Sequence, residues 1–329
     1  MKDFAHRSVQ SIEEAVDILH IYEGKAKLNA GGTDLLSILK DEILPSYPEL
    51  ILDIKTIRDL DYIRESDGVL RIGALARLSD VADSPLVRRK APALAQAALA
   101  VGSPQLRKMG TIGGNLCQDV RCWYYRYPLG LGGPLQCARK GKGPCLAVSG
   151  DNRYHAIMGA KKCFAVCPSD TAVALACLGA RVIVVGKKGE RTIDILDFYN
   201  PMGNALAEDE ILKETAIPVQ EKPQRQTFLK FTLRQSIDFA VVSTAVKMAL
   251  ENNTCTDARI VLGAVSAGPL VAPETGSILT GQRINEELAA AAAESALRSA
   301  RPLSKNAYKI DIARTLIKRA ILKNLADDQ

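Results

Sequence analysis

Six of the eight cysteines in this 329-residue chain fall within one short stretch: Cys117, Cys122, Cys137, Cys145, Cys163 and Cys167. Even scatter would place roughly one there. Cysteine used only as a small buried hydrophobe has no cause to cluster. The thiols therefore call for disulfides, a zinc ion or an iron–sulfur cluster. The spacing Cys122-x14-Cys137-x7-Cys145, continued by Cys163 or Cys167, contains no C-x2-C pair of a zinc ribbon. It also lacks the compact cysteine run of ferredoxins. A soft four-thiolate site in a long loop suits iron–sulfur or zinc. Spacing alone leaves both open, together with a loop that binds no metal.

Directly before the cysteines stands Gly110-Thr-Ile-Gly-Gly-Asn115, and a related run, Ala30-Gly-Gly-Thr-Asp-Leu35, occurs near the start. Adjacent glycines let backbone N–H groups approach a pyrophosphate and form an anion nest. The first pair opens a predicted helix, whose N-terminus also favours phosphate. The G-x-G-x-x-G fingerprint is absent, so a Rossmann-type site is not expected. No Ser-His-Asp pattern and no H-E-x-x-H run occurs. His6 and His20 have no partner motif, and Cys177 and Cys255 read as structural. Thiols beside glycine-rich loops point to redox chemistry rather than hydrolysis.

Elements must hold these loops. Ser11-Ile-Glu-Glu14 is a capping-box pattern and predicts a helix through Tyr22. Lys27 to Leu39 reads as a short strand, a glycine turn and a helix. Strands are predicted at Glu49–Ile54 and Val69–Gly73, and helices over Ser79–Arg89 and Ala93–Val101. Periodicity fades from Val120 to Lys162, a long insertion for which the cysteines supply a reason. It resumes with a helix at Asp170–Leu178 and strands at Ala180–Val185 and Thr192–Leu196. Pro218 to Pro223 is the expected domain boundary. Beyond it the pattern predicts a strand (Thr227–Thr232), a helix (Phe239–Leu250), a strand (Ala258–Val265) and helices at Asn285–Ala300 and Tyr308–Leu325.

Composition narrows the class. Net charge of +6 is mild and basic residues are dispersed, with 5% aromatics and no basic–aromatic interleaving, so nucleic acid is not an expected partner. No run of about 18 apolar residues predicts a membrane span. The opening Met1-Lys-Asp-Phe-Ala-His-Arg-Ser lacks an apolar signal region and a twin-arginine pair. A cytoplasmic, reducing compartment is expected, which disfavours disulfides.

Six ordered runs carry a resemblance: Ala30–Leu35, Ile72-Gly-Ala74, Gly110–Leu116, Pro168-Ser-Asp170, Lys230-Phe-Thr-Leu-Arg-Gln-Ser-Ile-Asp-Phe-Ala240 and Leu262-Gly-Ala-Val265. Together the chain resembles the FAD-binding (medium) subunit of the molybdenum hydroxylases, the xanthine dehydrogenase family, over almost its whole length. The resemblance implies an α+β fold. A two-lobed FAD-binding domain of the molybdopterin dehydrogenase (PCMH-like) type would span 1–222, with lobe one at about 1–57 and lobe two at about 58–222. An iron–sulfur insertion would occupy about 118–167. A C-terminal α/β domain, like that of CO dehydrogenase flavoproteins, would span 223–329. Along the FAD it implies Ala30, Gly31, Gly32, Thr33, Asp34, Leu35, Gly110, Thr111, Gly113, Gly114 and Asn115, with Asp170 and Lys230 at the flavin end.

The run Arg121-Cys-Trp-Tyr-Tyr-Arg126 and the cysteine loop resemble one branch of that family, in which the flavin subunit carries an added 4Fe–4S cluster. The flavin subunits of 4-hydroxybenzoyl-CoA reductase and bacterial aldehyde oxidoreductases belong to it. That branch implies ligands at Cys122, Cys137, Cys145 and Cys163, with Cys167 or His155 as alternatives for the fourth. The implied assembly is a heterotrimer with a small 2Fe–2S subunit and a large molybdopterin subunit, where substrate chemistry occurs. Ferredoxin or another one-electron carrier is the implied external partner. Two other readings remain: an NAD(P)H-linked flavin reductase subunit with a structural cysteine loop, and a zinc-stabilised, non-catalytic scaffold.

Overall fold

The computed structural model describes residues 1–220, 224–252 and 254–325. The first lobe runs β1 (Ala5–Ser8), α1 (Ile12–Tyr22), β2 (Ala26–Asn29), α2 (Leu35–Lys40) and β3 (Leu50–Asp53). Ser11 caps α1: its Oγ accepts from the Glu14 N–H at 3.1 Å, while the Glu14 carboxylate accepts from the Gln10 N–H. The apolar face so presented, Ala15, Val16 and Leu19, packs on Leu50 and Leu52. The sheet is parallel in the order β1-β3-β2. The first glycine run leaves the carboxyl end of β2, the edge at which open parallel sheets hold ligands.

The second lobe contains β4 (Ile63–Ser66), β5 (Val69–Gly73), α3 (Leu78–Asp83), α4 (Pro85–Lys90), α5 (Pro92–Leu99), α6 (Pro104–Met109), α7 (Ile112–Cys117), α8 (Asp170–Cys177), β6 (Arg181–Gly186) and β7 (Gly189–Asp194). A small ribbon of β8 (Tyr199–Asn200) and β9 (Gly203–Asn204) precedes β10 (Ile211–Pro218). The sheet order is β4-β5-β10-β6-β7. Every residue of α8 is buried, as suits a helix apolar on all sides. It packs against α5 and against the strands of the C-terminal domain. Between α7 and α8 the insertion contains only single 3-10 turns at Leu129–Leu131 and Ala138–Lys140. It has its own small core, in which Val120, Tyr125, Cys137, Cys163 and Ala165 pack on Ile38 and Ile43.

The C-terminal domain comprises β11 (Arg225–Phe231), β12 (Val242–Glu251), β13 (Thr254–Gly263), β14 (Leu270–Val271), α9 (Pro273–Leu279), α10 (Glu286–Ala296) and α11 (Tyr308–Lys323). Its sheet follows chain order and is antiparallel.

Three sequence expectations need correction or limitation. The helix expected over Phe239–Leu250 is strand β12. It lies between β11 and β13 with both faces covered, so its near-continuous apolar run lacks the alternation of a half-buried strand. The helix expected over Ser79–Arg89 is two helices. Pro85 has no N–H to continue α3, and Ser84 instead caps α4 through a 3.3 Å bond from the Val87 N–H. The boundary expected at Pro218–Pro223 extends over 221–223, outside the described residues.

Candidate functional site: the glycine cleft and the thiol cup

The two glycine runs face one another. A Cβ on Gly31 would stand 2.0 Å from the Met109 carbonyl oxygen and 2.9 Å from the Gly110 Cα. A Cβ on Gly113 would stand 2.8 Å from both the Ala74 Cβ and its carbonyl oxygen. Each is glycine because another stretch of protein occupies the side-chain position. Gly32 is glycine for a different reason, its left-handed φ of +70°. At Gly114 a Cβ would meet only the Thr111 Oγ1, at 3.1 Å, the same hydroxyl that accepts from the Gly114 N–H.

Between the runs lies a cavity of about 580 Å³, lined by Ala30–Leu35, Thr111, Gly113 and Gly114. A second, of about 240 Å³, shares Thr33, Asp34, Thr111, Gly114, Gln118 and Pro168 with it. That one is also lined by Gly110 and Asn115 and reaches Asp170 and Lys230. Every residue expected along the cofactor therefore lines one or both of these adjoining cavities.

Within the cleft several side chains are already committed. Asn115 Oδ1 accepts from the Ser169 and Thr171 hydroxyls, both at 2.7 Å, which fixes α7 against the start of α8. Lys230 Nζ lies 2.7 Å from Asp170 Oδ2 and donates to the Ala100 carbonyl at 2.9 Å. Both side chains are under a tenth exposed. Burial raises the Asp170 carboxyl above its ordinary pKa, and Lys230 opposes that shift. Asp34 differs from its neighbours. Its Oδ1 pairs with Arg126 at 2.7 Å and Arg121 at 3.0 Å, and its Oδ2 accepts from the Asp119 N–H at 2.8 Å. This carboxylate ties the first lobe to the insertion instead of reaching for a phosphate.

The cysteines divide into two groups. Cys122, Cys137, Cys145 and Cys163 gather in one cup, with Cys137 and Cys163 buried and the other two half-buried: Cys122 has Cys163 and Cys137 nearby, and Cys163 has Cys145 and Cys137. Burial pushes the Cys122 thiol up to about 12, against hydrogen bonds from the Tyr125 and Tyr124 backbone. Cys117 and Cys167 instead line the large glycine cleft near Tyr199, and burial pushes both thiols up to about 12. All eight cysteines are free. His155 joins the first group, with Nε2 3.2 Å from Cys122 Sγ. Its ring is buried, which lowers its pKa to about 4. A third cavity, of about 310 Å³, touches Cys122 and His155 at one side and Asp170 and Phe239 at the other.

Residues 2–220 match the FAD binding domain in molybdopterin dehydrogenase, and residues 227–324 match the CO dehydrogenase flavoprotein C-terminal domain. The chain belongs to the FAD-binding medium subunits of the molybdenum hydroxylases. It is 33% identical to the aldehyde oxidoreductase FAD-binding subunit of Escherichia coli K12, covering 99% of this chain and 98% of that one. It is 28% identical to the carbon monoxide dehydrogenase medium chain of Hydrogenophaga pseudoflava, over 97% and 96% of the two chains. Among solved structures, quinoline 2-oxidoreductase from Pseudomonas putida superposes with a TM-score of 0.78 at 25% identity, over 98% of each chain. The fold is that of a CO dehydrogenase-type medium subunit, and the chain is a flavoprotein subunit of a molybdenum hydroxylase or dehydrogenase complex. Among the described residues no helix is long and apolar enough to cross a membrane.

The cleft of this medium subunit fits FAD. Glycine at positions 32 and 114 leaves the backbone bare along its wall, and the adjoining cavity reaches the buried Asp170–Lys230 pair. The thiol cup is more open as a metal site. Among the described residues no three His, Cys, Asp or Glu side chains are drawn closely enough to hold one metal ion. A single zinc needs its sulfurs about 2.3 Å from one point, and the cup is not so gathered. Four free thiols, two of them only partly buried, are the donor type that a four-iron cluster takes.

Sequence reasoning missed the clamp of Arg121 and Arg126 on Asp34, and the buried Lys309, whose Nζ donates to the His155 and Ala264 carbonyls at 3.0 and 2.5 Å. No local signal marks either, since the partners lie far apart in the chain. The charged character of Arg121-Cys-Trp-Tyr-Tyr-Arg126 was the one available hint.

Proposed function

We propose that this subunit carries electrons between 2Fe–2S clusters of a small partner subunit, FAD, a 4Fe–4S cluster and an external one-electron acceptor or donor such as ferredoxin. A large molybdopterin subunit would complete a heterotrimer and carry the substrate chemistry. FAD exchanges one or two electrons and a 4Fe–4S cluster one, so a subunit holding both links pair-wise to single-electron flow. The observation that carries the reading is the course of the cleft. It runs from the glycine turns to Asp170 and Lys230, and the third cavity continues from Asp170 to Cys122.

Each group of residues then has one task. Gly31, Gly32, Thr33, Gly113 and Gly114 offer backbone to the pyrophosphate. Asp170 and Lys230 hold a fixed, buried dipole at the flavin end. Cys122, Cys137, Cys145 and Cys163 are the cluster ligands, with Cys167 left to the flavin cleft. Domains at 1–222 and 223–329 and a reducing, cytoplasmic setting are part of the same proposal; free thiols persist there.

Anaerobic purification of the native complex tests this reading. Stoichiometric flavin, two co-purifying subunits and about eight irons per heterotrimer, about four of them beyond those of two 2Fe–2S clusters, are expected. Flavin with no iron beyond that of the 2Fe–2S clusters would remove the 4Fe–4S cluster, and one zinc without flavin would favour the scaffold. Fast reduction by NADH but not by reduced ferredoxin would favour a pyridine-nucleotide reductase.

A further inference from the structure

His155 occupies an unusual position. Its Nε2 is 3.2 Å from Cys122 Sγ, it is 3% exposed, and its Nδ1 is buried without a partner among the described residues. The ring packs edge-on to Trp123 at 5.5 Å and is tilted against Tyr124. Its backbone is held from three directions. The His155 N–H donates to Asn152 at 3.0 Å, and its carbonyl accepts from Asn306 Nδ2 at 3.1 Å and from Lys309 Nζ at 3.0 Å. The C-terminal domain thus sets where a side chain of the insertion stands.

We propose that His155 donates an Nε2–H hydrogen bond to the sulfur of Cys122 and thereby raises the reduction potential of the 4Fe–4S cluster. This rests on the cluster assigned under the proposed function. A metal-bound thiolate is an acceptor only, so the shared hydrogen belongs to the imidazole. The unpartnered Nδ1 is then the bare nitrogen. The Cys122 sulfur already accepts from the Tyr124 and Tyr125 backbone, and His155 adds a donor from the opposite segment of the loop. Hydrogen bonds to cluster sulfur stabilise the more negative, reduced state and raise the potential. His155 is a positioning and tuning residue here, not a ligand.

The test uses the anaerobically purified complex with His155→Phe and His155→Gln. Iron per chain and the midpoint potential of the cluster, followed by electron paramagnetic resonance, are the readouts. His155→Phe should keep its iron and shift the one-electron equilibrium against reduction by about tenfold, a fall of about 59 mV. His155→Gln, which keeps an N–H donor, should recover much of that shift. An unchanged potential in His155→Phe would overturn the proposal, and so would loss of iron from both variants, which would make His155 a ligand. Wild-type complex with flavin but no iron beyond that of the 2Fe–2S clusters, and no 4Fe–4S resonance, sinks the cluster reading itself and is distinguishable from either result. A measurement without substitution guards against misfolded variants. In wild-type protein with isotopically labelled histidine, electron–nuclear spectra of the reduced cluster should show one weakly coupled nitrogen and an exchangeable deuteron. A strongly coupled, directly bound nitrogen, or none, would overturn the proposal.

Discussion

Replacing Gly31 by alanine separates packing from cofactor binding when it is paired with Gly114→Ala. The Cβ at position 31 would stand 2.0 Å from the Met109 carbonyl oxygen, and ordinary contact begins at 3.4 Å, so the turn must withdraw by the difference, 1.4 Å. Overpacking costs about 1–3 kcal/mol. The obstructing atom is backbone, which yields less than a side chain, so the cost falls toward about 3 kcal/mol. For a protein of this size that lowers Tm by roughly 4–5 °C. At Gly114 the new methyl meets only the Thr111 hydroxyl, at 3.1 Å. Replacing a helical glycine also recovers about 0.5–1 kcal/mol, so the apo protein should keep its Tm. The methyl nevertheless enters the cleft where the phosphates would lie. Both variants should lose flavin, and only Gly31→Ala should melt early. Melting must be followed on flavin-stripped protein, because bound FAD stabilises by mass action. An apo Gly31→Ala with wild-type Tm, or a Gly114→Ala that keeps one flavin per chain, would refute this division of roles.

Three further outcomes are expected. Asp170→Ala strands the buried Lys230 ammonium and should cost about 3–5 kcal/mol in chemical denaturation. The double variant Asp170→Leu, Lys230→Met should recover most of it, and equal losses in both would show the pair is not coupled. Cys163→Ser should lose or convert the cluster while flavin stays bound, and Cys167→Ser should leave iron unchanged. The reverse pattern in iron analysis moves the fourth ligand to Cys167. Lys309 is buried, which lowers its pKa to about 7 from 10.5. The unfolded chain binds that proton more tightly, so stability rises as pH climbs from about 7. Above pH 9 the raised thiol pKa values of the folded state oppose the gain. Lys309→Met should abolish the rise between pH 7 and 8.5 in denaturant titrations, and an unchanged slope would show that the amine is not desolvated.

Local pattern made much of this chain legible. The capping box at Ser11, the glycine turn after β2 and the thiol crowding are short-range signals, and each stands where the sequence placed it. The failures have a common cause. The sequence of strand β12 predicts a helix because burial on both faces erases the period that distinguishes the two. Helices α6 and α7 are six residues each, too short to show periodicity, and are fixed by the hydroxyl caps of Ser103 and Thr111. The reason Gly31 and Gly113 must be glycine is also non-local. The sequence suggested room for phosphate, and the structure adds Met109 and Ala74 in the place of a side chain. Position in the run predicts Asp34 along the cofactor, and its charge answers Arg121 and Arg126 in a distant segment.

The grip of the C-terminal domain on the insertion has a consequence for biosynthesis. Asn152, His155 and Ala156 are held by Ser304, Asn306 and Lys309, which follow them by almost half the chain. At about 5–20 residues per second, the ribosome delivers those partners on the order of ten seconds after the thiols emerge. During that interval Cys122, Cys137, Cys145 and Cys163 hang from an unfinished loop, open to oxidation and to stray metal. On the proposed function, a cluster would enter the cup only after these late contacts have formed. Expression hosts that protect nascent thiols should yield more intact protein than those that merely supply iron.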